Sequence, residues 1–247
     1  MNIKDMLQKQ TQKKPPRILI YSIPGWGKST LAASMPKPIF LDLEDGLLGI
    51  GTEALEIPKS FTDIITYFDL LINEKHDYKT LVIDSLTSLE QLIFTQTCKD
   101  YNQKNIEDFG YGKGYIFSLQ YWEKLLKGMD VLRNKGMRIV FIAHSEIKSI
   151  YDPVSDVYDK YVIKLHKQPL SLITSSVDFI FFGTYKTTVS EEKEGFKKVK
   201  KGIGTGERVI YTEERPAYTA KSRLELPNEI IIPKENGWNE IVKYLKG

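Results

Sequence analysis

Read for the alternation of apolar and polar positions, the first two thirds of the chain divide into short, almost wholly apolar runs and longer amphipathic ones. The apolar runs are RILIYS (17–22), PIFLDLE (38–44), TLVIDS (80–85), RIVFIAH (138–144) and DFIFFGTY (178–185). Between them, residues 28–35, 62–74, 86–100 and 116–135 carry apolar side chains at helical spacing. Strands this apolar are buried on both faces, the mark of a sheet covered by helices on each side. The fold class is therefore α/β with a mostly parallel central sheet. Beyond about residue 184 the texture changes to YKTTVSEEKEGFKKVKKGIGTGERVIYTEE, which predicts β-hairpins over about 185–232, and GWNEIVKYL predicts a short closing helix. Residues 1–16, polar and ending in Pro15 and Pro16, read as an N-terminal arm on a core spanning 17–247. Ile3, Met6 and Leu7 would dock that arm on this subunit or on a neighbour.

Composition adds boundaries to this picture. With 247 residues and 41% hydrophobic side chains, the chain can bury one sizeable core. The N-terminus lacks the apolar centre of a signal peptide and no apolar run is long enough to span a bilayer. The expectation is a soluble, cytoplasmic protein (host cytoplasm if phage-encoded) with no membrane partner. Lysine and arginine number 35 against 32 acidic residues, a net charge of +3, so nucleic-acid affinity has to come from local patches. The single cysteine, Cys98, excludes an internal disulfide and sits at a buried helix position. His76 and His166 have no partner pattern, and no spacing suggests a structural metal.

Chemistry concentrates at RILIYSIPGWGKSTL (17–31), where an apolar strand runs through a glycine turn into Lys-Ser-Thr and a helix. Gly25 and Gly27 allow positive φ and bring backbone N–H groups close to a ligand. Lys28 can reach the β and γ phosphates, and Ser29 can offer its hydroxyl to Mg²⁺. Pro24, Gly25, Trp26, Gly27, Lys28, Ser29 and Thr30 thus form a loop that binds a nucleoside triphosphate, with ATP and Mg²⁺ as the cofactors. One departure is Ser22, where the general pattern has glycine; positive φ there would cost roughly 1–2 kcal/mol.

The strand TLVIDS puts Asp84 at its carboxyl end, where it would hold Mg²⁺ together with Ser29. The next residue is Ser85, which cannot act as a base, so the carboxylate that orients the attacking water has to come from elsewhere. PIFLDLEDG offers Asp42, Glu44 and Asp45, and Glu44 is nearest the mouth of the crevice. RIVFIAHSE ends its strand in His144, positioned to sense the γ phosphate and relay its presence to the following loop.

Together GWGKST, LDLEDGL, LVIDSLTSLE and FIAH resemble the RecA/RadA core, and in particular the small phage-encoded RecA-like ATPases of the Sak group, over roughly residues 17–230. In that resemblance Glu44 activates water and His144 takes the place of the γ-phosphate sensor. AYTAKSRLELP resembles the late strand whose basic residues, here Lys221 and Arg223, enter the ATP site of the adjacent subunit. The resemblance implies a homo-oligomer with ATP sites at subunit interfaces and single-stranded DNA as partner, with a single-stranded DNA-binding protein as a further one. DNA would meet the loops 108–115 and 145–167, where Tyr111, Lys113, Tyr115, Lys148, Tyr151, Tyr158, Lys160 and Tyr161 combine rings for stacking with cations for phosphates. Lys197, Lys198, Lys200 and Lys201 offer a further basic site.

The leading expectation is thus an ATPase, stimulated by DNA, that assists phage recombination or strand annealing. Three alternatives stay open: a ring helicase or AAA-type motor component, a small-molecule kinase, and a nucleotide-regulated binding module with negligible hydrolysis. The AAA type calls for a glutamate after Asp84, and the kinase for lid arginines that 45–79 does not contain.

Overall fold

The computed structural model describes residues 14–153, 156–194 and 197–245, and over 188–205 the backbone alone. The parallel part of its sheet is built on β1 (Arg17–Ser22), β2 (Pro38–Asp42), β4 (Thr80–Asp84), β5 (Arg138–Ile150) and β7 (Phe179–Glu194). Their spatial order is β7-β1-β5-β4-β2. A two-residue strand β3 (Glu53–Ala54) extends the sheet beyond β2, while β8 (Lys197–Tyr211) and β10 (Glu229–Ile231) extend it antiparallel beyond β7. The expected α/β class with a mostly parallel sheet is the one observed.

Alternation along β1 sorts the core into two layers. Leu19 and Tyr21 point to one face, where they meet α2 (Phe61–Asn73), α3 (Leu86–Asp100), α5 (Leu119–Asn134) and α6 (Lys167–Ser176). Ile18 and Ile20 point to the other, covered by α1 (Lys28–Ala33) and the closing helix α7 (Trp238–Leu245). Each of β1 and β4 is buried at every position, which is why both read as unbroken apolar runs. Ser60 opens α2 by accepting from the Asp63 backbone N–H while Asp63 bonds back, and Ser85 caps α3 by accepting from Ser88. Cys98 is buried on α3, as its spacing suggests.

Two expectations about loops change. The segment 145–167 is not a loop: β5 continues past the sheet to Ile150 and pairs antiparallel with β6 (Tyr158–Ile163), from Ser145 opposite Ile163 to Ile150 opposite Tyr158. Its polar and acidic side chains mask this strand because the ribbon leaves the core and is only half buried. The segment before α5 folds into a 3₁₀ turn (Ile106–Phe109) and the short helix α4 (Lys113–Phe117). The hairpin region begins as expected, with β7 and β8 paired over most of their length. AYTAKSRLELP, however, contributes only β9 (Lys221–Ser222), antiparallel to the start of β7. Residues 1–13 of the expected arm, including Ile3, Met6 and Leu7, lie outside the described residues, as do the side chains of Lys197, Lys198, Lys200 and Lys201.

Candidate functional site

Strand register brings the chemistry to one edge. Ser22 lies level with His144 across β1 and β5, Asp84 with Ile142 across β4 and β5, and Asp42 with Asp84 across β2 and β4. The strand between β1 and β4 in space is β5; β2 lies outside β4, so Glu44 reaches the crevice from the far side of the aspartate strand.

Gly25 (φ 73°) and Gly27 (φ 101°) both adopt the left-handed conformation that their lack of a Cβ permits. Ser22 has no positive φ: it ends β1 fully buried, and its hydroxyl accepts a hydrogen bond from Lys28 Nζ at 3.4 Å. The departure from glycine therefore carries no backbone penalty. Burial pushes the Lys28 ammonium below its ordinary range, against the pull of Asp84 and Glu44. Ser29 Oγ donates to Asp84 Oδ2 at 2.5 Å. Burial raises the Asp84 carboxyl, partly offset by the Ser29 bond. A hydroxyl and a desolvated carboxylate side by side are hard oxygen donors that fit Mg²⁺, whose charge would offset that desolvation.

Glu44 and His144 meet. His144 Nε2 lies 3.0 and 3.1 Å from the two Glu44 oxygens, Ser88 Oγ donates to the same carboxylate at 2.8 Å, and Ser85 Oγ also donates to it. The His144 bond, reinforced by the two serines against partial burial, holds the Glu44 carboxyl down at about 2. Asp42 acts on the backbone instead. Its carboxylate accepts the Glu44 N–H at 3.0 Å and the Gly46 N–H at 3.1 Å, fixing the turn that presents Glu44.

The loop's tryptophan is legible in the sequence only as a loop residue, yet it anchors the site. Trp26 is fully buried in the layer under α1 and α7, where its indole N–H donates to the Thr184 carbonyl at 2.8 Å. Arg208, which no local motif marks, donates to the Trp26 carbonyl at 3.2 Å and to the Pro233 carbonyl, with its guanidinium 5.6 Å from the indole centre. A cavity of about 460 Å³ opens beside the loop against Gly25, Gly27, Thr30, Tyr185, Arg208 and Pro233. Nothing short-range in the sequence links 208 to 26; only the β7–β8 hairpin brings them together.

The remaining predicted residues have other contacts. Lys221 Nζ donates to the carbonyls of Thr174 and Val177, both at 2.8 Å, at the end of α6. Arg223 is exposed and lies 3.4 Å from Asp178, at the opposite end of β7 from the nucleotide loop. The two do not share a strand face, because β9 ends at Ser222. Tyr115 stacks on His166 at 3.8 Å, Tyr161 on Phe182 at 5.0 Å, Lys160 pairs with Glu214 at 2.6 Å and Lys148 with Glu146 at 2.8 Å. Tyr158 is half buried and Lys113 exposed, while Tyr111 and Tyr151 carry strongly exposed rings.

A strand leading into a glycine turn, a lysine folded back over it, and a serine bonded to a strand-end aspartate two strands away define a P-loop nucleotide-binding domain of the ATPase class. Over residues 14–224 the chain matches the family model described as an AAA domain (AAA_24), and it belongs to that family. The SPbeta prophage-derived uncharacterized protein YorG of Bacillus subtilis (strain 168) is 25% identical over 172 residues, 67% of this chain and 49% of that protein. The chain thus spans about half the length of this relative. The crystal structure of the RadB recombinase aligns at 13% identity and a TM-score of 0.47, covering 91% of this chain and 90% of that one. No described helix is long and apolar enough to cross a membrane.

Proposed function

We propose that this protein binds ATP with Mg²⁺, hydrolyses it to ADP and phosphate, and binds single-stranded DNA as a homo-oligomer with nucleotide sites between subunits, assisting phage recombination or strand annealing. The observation that carries the ATPase reading is the Ser29–Asp84 pair beside Lys28, faced by the Glu44–His144 pair. Ser29 and Asp84 would hold Mg²⁺, which supplies charge neutralisation at the β and γ oxygens. Lys28 binds the phosphates. Glu44, ionised throughout the neutral range, orients water by accepting its hydrogen bond, and His144 holds that carboxylate and exchanges partners when a γ phosphate arrives. The nucleoside leaves the loop on the side away from Asp84, into the cavity walled by Tyr185 and Pro233.

For DNA, support comes from Tyr111, whose ring is fully exposed at φ 50° between Gly110 and Gly112, both also at positive φ. Holding a bulky residue there costs about 1–3 kcal/mol with no packing return, which suits a stacking platform better than a core position. Tyr151 on the β5–β6 ribbon is its counterpart, with Lys113, Lys148, Tyr158 and Lys160 beside them, and Tyr115 and Tyr161 serving first as packing. Lys221 and Arg223 act toward an adjoining copy's phosphates. Arg223 is the readier of the two, since Lys221 has to leave two carbonyls. The prophage origin of the Bacillus relative supports a phage setting, in which a single-stranded DNA-binding protein is a natural partner.

The test is ATP turnover with and without single-stranded DNA over a range of protein concentrations. Stimulation by DNA with a steep concentration dependence supports the proposal; DNA-independent turnover by a monomer removes its oligomer and DNA parts. Unchanged turnover in Glu44→Gln removes the catalytic assignment and favours a nucleotide-regulated binding module.

A further inference from the structure

At the end of the sheet opposite the nucleotide loop, a cavity of about 500 Å³ opens between the starts of β5 and β7, the end of α5 and helix α7. Among the described residues four cations line it, Lys14, Arg133, Arg138 and Arg223, with Asp178 as the one carboxylate. That carboxylate is already shared: it takes Arg133 at 2.8 Å, the Arg17 backbone N–H at 2.9 Å and Arg223 at 3.4 Å. Arg138 has no carboxylate among its described contacts. Its guanidinium lies 4.8 Å from the Trp238 ring centre and reaches Thr80 Oγ1 at 3.4 Å, and its buried Nε has no hydrogen-bond partner. Burial alone pulls this arginine below its ordinary range. A desolvated guanidinium without a carboxylate partner is costly, and the Trp238 ring offsets only part of that cost, so a ligand countercharge would be favourable. The rest of the lining is apolar: Pro15, Pro16, Phe179, Leu224, Val242 and Leu245.

We propose that this cavity docks an acidic peptide segment of a partner protein, with a carboxylate held by Arg138 and Arg133 and a neighbouring apolar side chain seated on Phe179, Leu224 and Leu245. The guanidinium fork matches a carboxylate with two parallel bonds. The apolar floor offers no amide or hydroxyl side chain to read the edges of a base, which separates this site from a base-reading pocket. The chain's own residues 1–13 carry Lys4, Lys9 and Lys13 against Asp5 alone, a net positive charge that a lining of four cations disfavours. The carboxylate is held by Arg138 and Arg133, not by Arg223, which faces an adjoining copy's phosphates in the proposed function, so the docking does not draw on the nucleotide loop at the far edge.

The probe is a fluorescein-labelled octapeptide of alternating aspartate and leucine, followed by anisotropy at low salt with the full chain. The expected result is saturable binding, weakened about tenfold or more in Arg138→Ala, and absent for a peptide with asparagine replacing aspartate. Leu224→Asp, at an exposed position, is expected to weaken binding too and serves if Arg138→Ala does not fold. ATP turnover in Arg138→Ala should match wild type. The proposal is overturned by no saturable binding up to millimolar peptide, by equal binding to the folded variants, by a mononucleotide displacing the peptide better than free unlabelled peptide does, or by a loss of ATP turnover in Arg138→Ala.

Discussion

Adding one methyl group at Gly183 tests whether Trp26 is the anchor of the nucleotide loop. Gly183 sits on β7 level with Ser22, and a Cβ built on it falls 2.7 Å from Trp26 Cδ2 and 2.8 Å from Cε2 and Cε3. Carbon contacts settle near 3.5 Å, so the indole is short of room by about 0.8 Å. It cannot swing aside freely, since it is fully buried and bonded to the Thr184 carbonyl. Overpacking of this kind costs about 1–3 kcal/mol. At about 2–4 °C per kcal/mol for a chain of this size, Gly183→Ala should lower Tm by several degrees. Displacement of Trp26 also drags Gly25 and Gly27, so affinity for a fluorescent ATP analogue should fall with it. Trp26→Leu removes the clash at its own cavity cost of up to about 3 kcal/mol. The double variant should then be more stable than the sum of the two single effects allows. Wild-type Tm and affinity in Gly183→Ala, or strict additivity in the double variant, would refute the reasoning.

Three other outcomes follow from the same geometry. Arg208→Ala removes the tie between the Trp26 and Pro233 carbonyls and should weaken nucleotide binding by roughly tenfold, with Arg208→Lys recovering only part because an ammonium lacks the fork; equal affinity in all three proteins argues against a positioning role. Glu44→Gln should lower turnover by about 10²–10⁴-fold with nucleotide affinity nearly unchanged. Since the Glu44 carboxyl of the nucleotide-free protein is held at about 2, no acid limb in kcat/KM, which reports the free enzyme, should belong to it between pH 5 and 8; such a limb that vanishes in Glu44→Gln would contradict the assignment. Glu90, buried on α3 and accepting the His166 N–H at 2.9 Å, is raised to about 7 by burial. A raised carboxyl binds its proton more tightly folded than unfolded, so wild-type stability falls as pH climbs from the unfolded value near 4.3 through about 7. Glu90→Gln keeps an acceptor and escapes that loss, at most about 4 kcal/mol; denaturant unfolding should show its advantage growing from pH 5 to pH 8, and a constant difference would defeat the idea.

What the sequence discloses, and what it hides, follows from where each residue finds its partners. β1, β2 and β4 are legible because burial on both faces leaves an unbroken apolar run, and their ends carry Lys28, Asp84 and Glu44 within a few residues of that signal. The meeting of Glu44 with His144 follows once both are assigned to strand ends at the same edge. The β5–β6 ribbon is hidden because a strand that leaves the core loses its apolar pattern, and Glu146, Lys148 and Asp159 then look like loop residues. Arg208 and Gly183 are invisible for another reason: their roles rest on contacts with Trp26 more than 150 positions away in the chain, and neither belongs to a local pattern.

The Glu44–His144 pair also limits what sort of catalyst this edge can be. A carboxylate held near 2 is a feeble base at neutral pH, so in the proposed hydrolysis Glu44 would not act mainly by taking a proton from water in the ground state. Its strength is a fixed negative charge whose lone pairs are shared among Ser85, Ser88 and His144. Two of those donors stand on or before α3 and the third ends the buried part of β5, immediately before the ribbon that starts at Ser145. A γ phosphate competing for His144 would therefore raise the basicity of Glu44 and alter the support of the ribbon in one exchange. Coupling of turnover to DNA would then reside in that hydrogen bond, and His144→Phe should lower both basal turnover and its response to DNA, whereas a defect confined to basal turnover would separate the two.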